Sequence, residues 1–277
     1  MNKKSLLKKY LQISDFYGKP FPYSLFLELG FNKDNIPKEY KLFKDYIFSK
    51  DIKKFQAYRL NKSYCFETQY KTKLAKNYLF TLYLLPFVYM IGISGSVAMK
   101  TPNKEDDIDI FILCDQQSLW LTRLIDFIFY TIIGKRRTHI LKNKKLENKL
   151  CINKYQSLQR LQINEKDIYT ALQIISISPI WGKKLKNQML DSNKWVTKYY
   201  SNLSKQSLSV DLLFILKRTT TILLYPILIP TNLIAKILQI NILKKNSPDS
   251  YHYDNYTIET YSKIQSNKLK TILNKES

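Results

Sequence analysis

Gly95-Ser96 and Asp107-Ile108-Asp109 are the residues of this chain whose types and spacing could do chemistry. Side chains along a strand alternate between its faces, so two aspartates separated by one residue share a face. Carboxylates held side by side repel each other unless a cation lies between them, and Mg²⁺ prefers such oxygen ligands. Gly95-Ser96 precedes Val97-Ala98-Met99, which can open a short helix. At a helix start the backbone N–H groups are presented to a phosphate. The plain alternative is a surface turn followed by an acidic strand end.

These residues need elements to hold them. The apolar run Phe87–Ile93 predicts a buried strand leading into the Ser94-Gly95-Ser96 turn. Thr101-Pro102-Asn103 breaks the short helix, and Ile110–Leu113 carries the Asp pair into a second strand. Leu150–Tyr155 reads as the next core strand. Lys71–Leu85 reads as a helix leading into the first strand. Leu119–Ile133 is strongly apolar but short for a membrane span, and it contains Arg123 and Asp126; a helix packed on the sheet is the expectation.

A Gly-Ser at a strand-to-helix turn, followed by Asp-Ile-Asp on the next strand, resembles the nucleotidyltransferase superfamily that includes DNA polymerase beta. The resemblance implies that Gly95 and Ser96 contact a nucleoside triphosphate (NTP). It implies that Asp107 and Asp109 hold the catalytic metals, Mg²⁺ or Mn²⁺. Active members usually carry a third carboxylate on the following strand, where Cys151 and Asn153 stand here. Asn153 can hydrogen-bond but cannot act as a base. Asp115 or Glu147 could substitute only if the fold bent them inward. Tyr169-Thr170-Ala171, Pro179 and Asn193-Lys194-Trp195-Val196 resemble the helical tails of uncharacterised bacterial proteins with this domain. The implied reaction is transfer of a nucleoside monophosphate from an NTP to a hydroxyl of a nucleic acid, protein or small molecule, releasing pyrophosphate. A competing reading is a degenerate module that binds NTP or nucleic acid without turnover. A third is a basic protein at a membrane surface.

The formal charge is +23, from 45 Lys and Arg against 22 Asp and Glu. Such a surface attracts polyanions, nucleic acid among them. A Lys-, Asn- and Ile-rich composition also produces this charge without function. The block from Lys135-Arg136-Arg137 to Lys149 reads either as an electropositive rim or as an exposed loop. Cys65, Cys114 and Cys151 are isolated, which fits a reducing cytoplasm. His139 and His252 are the only histidines, which argues against a Cys/His zinc site. No G-x-S-x-G elbow supports a serine hydrolase. The basic N-terminus has no continuous apolar run and does not read as a signal peptide.

The expected fold class is α+β, with a small mixed sheet flanked by helices. Residues 1–74 read as a winged-helix-like module, 75–160 as the core and 161–277 as a helical C-terminal region. The module would contain helices around Leu6–Leu11, over Tyr23–Leu29 with Gly30 as its stop, and over Pro37–Phe48. A hairpin of Ile52–Leu60 and Tyr64–Phe66 would follow, decorated by Lys53, Lys54, Arg59 and Lys62. Asn164 is the expected N-cap of a helix over 165–177, ended by Pro179, with helical pieces at 183–190 and 191–200. Thr220–Ile240 has nearly the length of a span and is flanked by Arg218, Lys244 and Lys245. Pro226, Pro230, Asn232, Lys236 and Gln239 favour broken helices packed on the protein instead. Ile258, Tyr261, Gln265, Leu269 and Ile272 form a weak amphipathic pattern.

Overall fold

A computed structural model describes residues 3–137, 146–200, 212–246 and 251–260. The centre is a mixed sheet of six strands: β4 (Val88–Ile93), β5 (Ile108–Cys114), β6 (Leu150–Ser157), β7 (Ser178–Trp181), β8 (Tyr251–Tyr253) and β9 (Thr257–Thr260). Their spatial order is β7-β4-β5-β6-β9-β8. β5 and β6 run parallel, and every other neighbouring pair is antiparallel. β4 and β5 are apolar on both faces, as strands must be when helices cover both sides of a sheet.

Alternation along β5 sends its side chains to two separate cores. Ile108, Ile110, Ile112 and Cys114 pack with the C-terminal half of α3 (Lys54–Tyr83), with α5 (Leu119–Ile132) and with α9 (Tyr225–Asn246). Phe111 and Leu113 pack on the other side with α1 (Lys3–Phe16), α2 (Tyr23–Glu28), α6 (Ile168–Ser176) and α7 (Lys183–Ser192). Each fully buried Ile or Leu in these layers contributes about 1.5–3 kcal/mol. Asp109 falls in the same alternation as Phe111 and Leu113, so it faces the layer of α1 and α6.

The N-terminal elements differ from the winged-helix-like expectation. Pro37–Phe48 is not a helix: Tyr40–Phe43 (β2) and Tyr46–Ser49 (β3) form a hairpin, joined by β1 (Phe21–Pro22) in a three-stranded sheet. Lys44 takes the turn with φ +50°. The expected hairpin at 52–66 is instead the first part of α3, a continuous 30-residue helix that runs across position 74. Its buried stripe is Ala57, Asn61, Tyr64, Glu67, Lys71, Ala75, Leu79 and Leu82. That spacing is helical, but three polar members hide it from a hydrophobicity pattern. The α2 helix does stop at Gly30, with φ +82°.

Towards the C-terminus, α6 starts at Ile168 with Asp167 as its cap, its carboxylate accepting from the Thr170 N–H at 2.7 Å. Asn164 lies outside that helix. Pro179 sits in the edge strand β7, where a missing N–H is tolerated. The 220–240 segment is divided between α8 (Leu212–Leu223) and α9, with the break at Leu224. The β8–β9 hairpin extends the sheet beyond β6 and was not apparent from the sequence. Residues 261–272, part of the amphipathic pattern, and His139 lie outside the described residues.

Candidate metal and phosphate site

Strand β4 delivers the chain to Ser94, whose N–H donates to the Asp109 carbonyl at 2.9 Å. The chain then turns sharply into α4 (Gly95–Ala98) with Gly95 at φ +60°. Glycine is required twice here. A side chain would be strained at that φ, and a Cβ would lie 2.0 Å from Asp109 Oδ2. The backbone of the turn therefore lies directly against the Asp109 carboxylate. The first N–H groups of a helix have no partner within it, so this turn presents donors beside a carboxylate pair.

Asp107 lies one residue before β5 and Asp109 lies within it. In the parallel register Asp109 is opposite Cys151 on β6. One ligand atom from each of Asp107, Asp109 and Cys151 lies within 4.8 Å of the others. Asn153 Nδ2 donates to Asp109 Oδ1 at 2.9 Å. Arg137 Nη1 donates to Asp107 Oδ2 at 2.6 Å. Burial, followed by the Asp107 charge, raises the Asp109 carboxyl to about 7, against the lowering effect of Arg137 and the Cys151 hydrogen bond. Burial and the two aspartates hold the Cys151 thiol far above its ordinary value, so it stays protonated near neutrality.

Ser96 has a different immediate task from ligand binding. Its Oγ donates to Asp106 Oδ2 at 2.8 Å, and the Asn103 N–H reaches the same oxygen at 3.0 Å. Lys19 Nζ binds that oxygen at 2.6 Å and the Thr101 carbonyl at 2.9 Å. Burial opposes ionisation of Asp106, but Lys19, Asn103 and Ser96 outweigh it and leave the carboxyl below its ordinary value. From α3, the fully buried Lys71 donates to the carbonyls of Lys104 and Asp106 at 3.0 and 2.8 Å, and to Asn148 Oδ1 at 2.9 Å. The Tyr46 hydroxyl donates to the Lys100 carbonyl, where Lys100 has φ +59°. The loop between α4 and β5 is thus clamped by the N-terminal elements.

Lys19, Lys71 and Asp106 were not apparent as site residues from the sequence, and neither were Tyr17 and Tyr169. The two tyrosine hydroxyls meet at 3.1 Å, and the Asp109 charge helps raise both phenols after burial. Asp106 had a signal, since it precedes the Asp pair directly. Lys71 had a fainter one, as a lysine in the buried stripe of α3.

Among the described residues, no other carboxylate joins the cluster. Asp115 is buried just beyond the far end of β5, where Arg218 and Gln159 each bind it at 2.7 Å. Glu147 lies beside Asn148, outside the group of Asp107, Asp109 and Cys151. The basic block is only partly free. Lys135 lies over the Tyr78 ring and Arg136 is buried against Asp126, while Arg137 remains half exposed at Asp107. Lys149 Nζ binds the Gly134 carbonyl, and residues 138–145 lie outside the described residues. Lys100 reaches Ser24 Oγ at 3.5 Å, and the Lys104 carbonyl accepts from Lys71. Comparison with protein-family models, curated proteins and solved structures finds no match for this chain.

Proposed function

We propose that this chain is a nucleotidyltransferase-type protein that binds an NTP with Mg²⁺ or Mn²⁺ and transfers the nucleoside monophosphate to a hydroxyl acceptor. The observation that carries this reading is the Gly95 turn seated against Asp109, which joins backbone donors to the Asp107–Asp109–Cys151 group. The donor set fits a divalent cation: carboxylate oxygens suit Mg²⁺ and Mn²⁺, and the thiol shifts preference towards the softer ions. A bound cation would neutralise charge on the triphosphate.

The chain's own residues then divide the work. Asp107 and Asp109 would hold the cation, and Arg137, which donates to Asp107, would supply positive charge beside the phosphates. Gly95 and Ser96 orient the triphosphate through their backbone N–H groups. Asp106, Lys19 and Lys71 keep the turn in place without touching substrate.

Deprotonation of the acceptor has no strong candidate in the group. Asn153 donates to Asp109 and cannot take a proton, and the Cys151 thiol is held protonated. These two residues favour the second reading, a module that binds NTP with little turnover. Labelled NTP with Mg²⁺ or Mn²⁺, offered nucleic-acid and protein acceptors, tests both. Metal-dependent binding lost in Asp109→Asn supports the site, and incorporation lost in the same variant supports the enzyme. No metal-dependent binding would refute the proposal.

A further inference from the structure

We infer that the consecutive helices α8 and α9 dock the protein onto a bilayer surface carrying anionic headgroups. One face of α9 is committed to the protein. Leu228, Ala235 and Leu243 are buried in the core shared with α5 and the sheet. Asn232 Oδ1 accepts from the Trp120 and Leu121 N–H groups at 2.7 and 3.0 Å, capping the start of α5. Gln239 Nε2 donates to the Trp120 carbonyl at 2.7 Å, and its oxygen accepts from the buried Arg123. These contacts hold α9 along its length, so the helix lies against the protein rather than leaving it to span.

The remaining surface of the two helices is largely apolar as well. Leu223 is 79% exposed, Ile227 62%, Ile234 58% and Leu238 52%. Leu212 and Leu216 extend this exposure along α8. Tyr225–Lys244 has a mean hydropathy of 1.4, high enough for a membrane span, although only 22% of that stretch is buried. A helix apolar on all sides belongs in a core or against lipid, and a soluble surface of this kind is an interaction site.

Charge chooses the occupant. The 212–246 sequence contains Lys217, Arg218, Lys236, Lys244 and Lys245 and no Asp or Glu. Lys217 and Arg218 are held by protein carbonyls and by Asp115, whereas Lys244 is exposed beside the apolar surface. Two copies of a +23 chain meeting through this face would bring like charges together. An anionic bilayer instead accepts the apolar side chains and neutralises the lysines.

The test is co-sedimentation of the full chain with vesicles of mixed phosphatidylglycerol and phosphatidylcholine, and with phosphatidylcholine alone. The wild type should pellet with the anionic vesicles, more weakly with the neutral ones, and less as salt rises. Ile234→Asp with Leu238→Asp should reduce partitioning by roughly a hundredfold or more. Lys236→Glu with Lys244→Glu provides an independent handle outside the buried stripe, and should lower anionic-vesicle binding by at least about twentyfold, at about fivefold per lost positive charge. Failure of the wild type to pellet with anionic vesicles, or pelleting of either double variant undiminished from wild type, would overturn the inference. A stable dimer that becomes monomeric in Ile234→Asp with Leu238→Asp, without vesicle binding, would assign the face to a second copy.

Discussion

Replacing Asp109 by asparagine distinguishes a metal site from a carboxylate that merely serves the fold. Burial, then the Asp107 charge, raises the Asp109 carboxyl from 3.8 to about 7. Between those values the unfolded chain has released the proton and the folded chain retains it. The folded state therefore loses stability as pH rises through the window, and the full loss is present above about pH 7. A rise of just over three units corresponds to roughly 4 kcal/mol as a ceiling. Asparagine keeps the shape, and its side-chain oxygen can still accept from Asn153. Asp109→Asn should therefore be more stable than wild type by about 2–4 kcal/mol at about pH 8 without metal, and should lack the wild-type slope between about pH 4 and 7. Mn²⁺ or Mg²⁺ should raise the wild-type thermal midpoint and leave the variant unmoved, because a ligand stabilises only the state that binds it. Thermal denaturation at about pH 5 and about pH 8, with and without metal, measures all of this. A variant less stable than wild type at the higher pH, with no metal response in either protein, would refute the reasoning.

Gly95→Ala should lower stability by about 2 kcal/mol or more, through the φ of +60° and the clash with Asp109, and should abolish triphosphate binding; urea denaturation and nucleotide titration check the two effects. Lys71→Met should cost about 2–4 kcal/mol by leaving the Lys104 and Asp106 carbonyls and Asn148 Oδ1 without their donor. Cys151→Asp places a carboxylate opposite Asp109 and should raise Mg²⁺ affinity and any transfer rate by about tenfold or more, read by metal titration and labelled-NTP incorporation.

Strands β4, β5 and β6 and the Asp pair were legible because buried strands and a glycine turn are local signals, whereas β7, β8 and β9 were not. Phe87–Ile93 and Ile110–Leu113 are short apolar runs, Leu150–Tyr155 mixes apolar residues with Asn153 and Lys154, and each lies largely or wholly in a core strand. The α5 helix announced itself in the same way. The helices α1 and α2 were legible, but the first part of α3 was not, because its buried stripe includes Asn61, Glu67 and Lys71, and Asn61 and Lys71 have partners distant in sequence. Asn61 binds Asp45, and Lys71 binds Lys104, Asp106 and Asn148. A hydrophobic pattern cannot register a polar residue that is buried because a loop elsewhere needs its donor. Tyr40–Phe48 failed for a related reason: its aromatic residues fit a helical stripe as well as an alternating strand pair. The clamp around Asp106 was invisible because Lys19, Ser96 and Lys71 meet only in the fold.

The C-terminal helices and the carboxylate group stand at opposite ends of β5. Asp107 and Asp109 occupy its start. Asp115 follows its last residue and is gripped by Arg218 of α8 and by the Tyr225 hydroxyl of α9. Lys217 of α8 fixes the same end by donating to the Val88 carbonyl at the start of β4, which runs antiparallel to β5. Asn232 and Gln239 add their bonds at the start of α5, just beyond Asp115. Six residue steps of extended chain lead from Asp109 to Asp115, about 20 Å. A bilayer against α8 and α9 would therefore meet the protein away from the Gly95 turn and leave the triphosphate approach open. The two proposals predict independent variants: Ile234→Asp with Leu238→Asp should leave metal-dependent NTP binding unchanged, and Asp109→Asn should leave vesicle binding unchanged. Residues this far apart with no shared partner normally behave additively. Strong coupling between the two sets would mean that α8 and α9 reach the site by a route that these contacts do not provide.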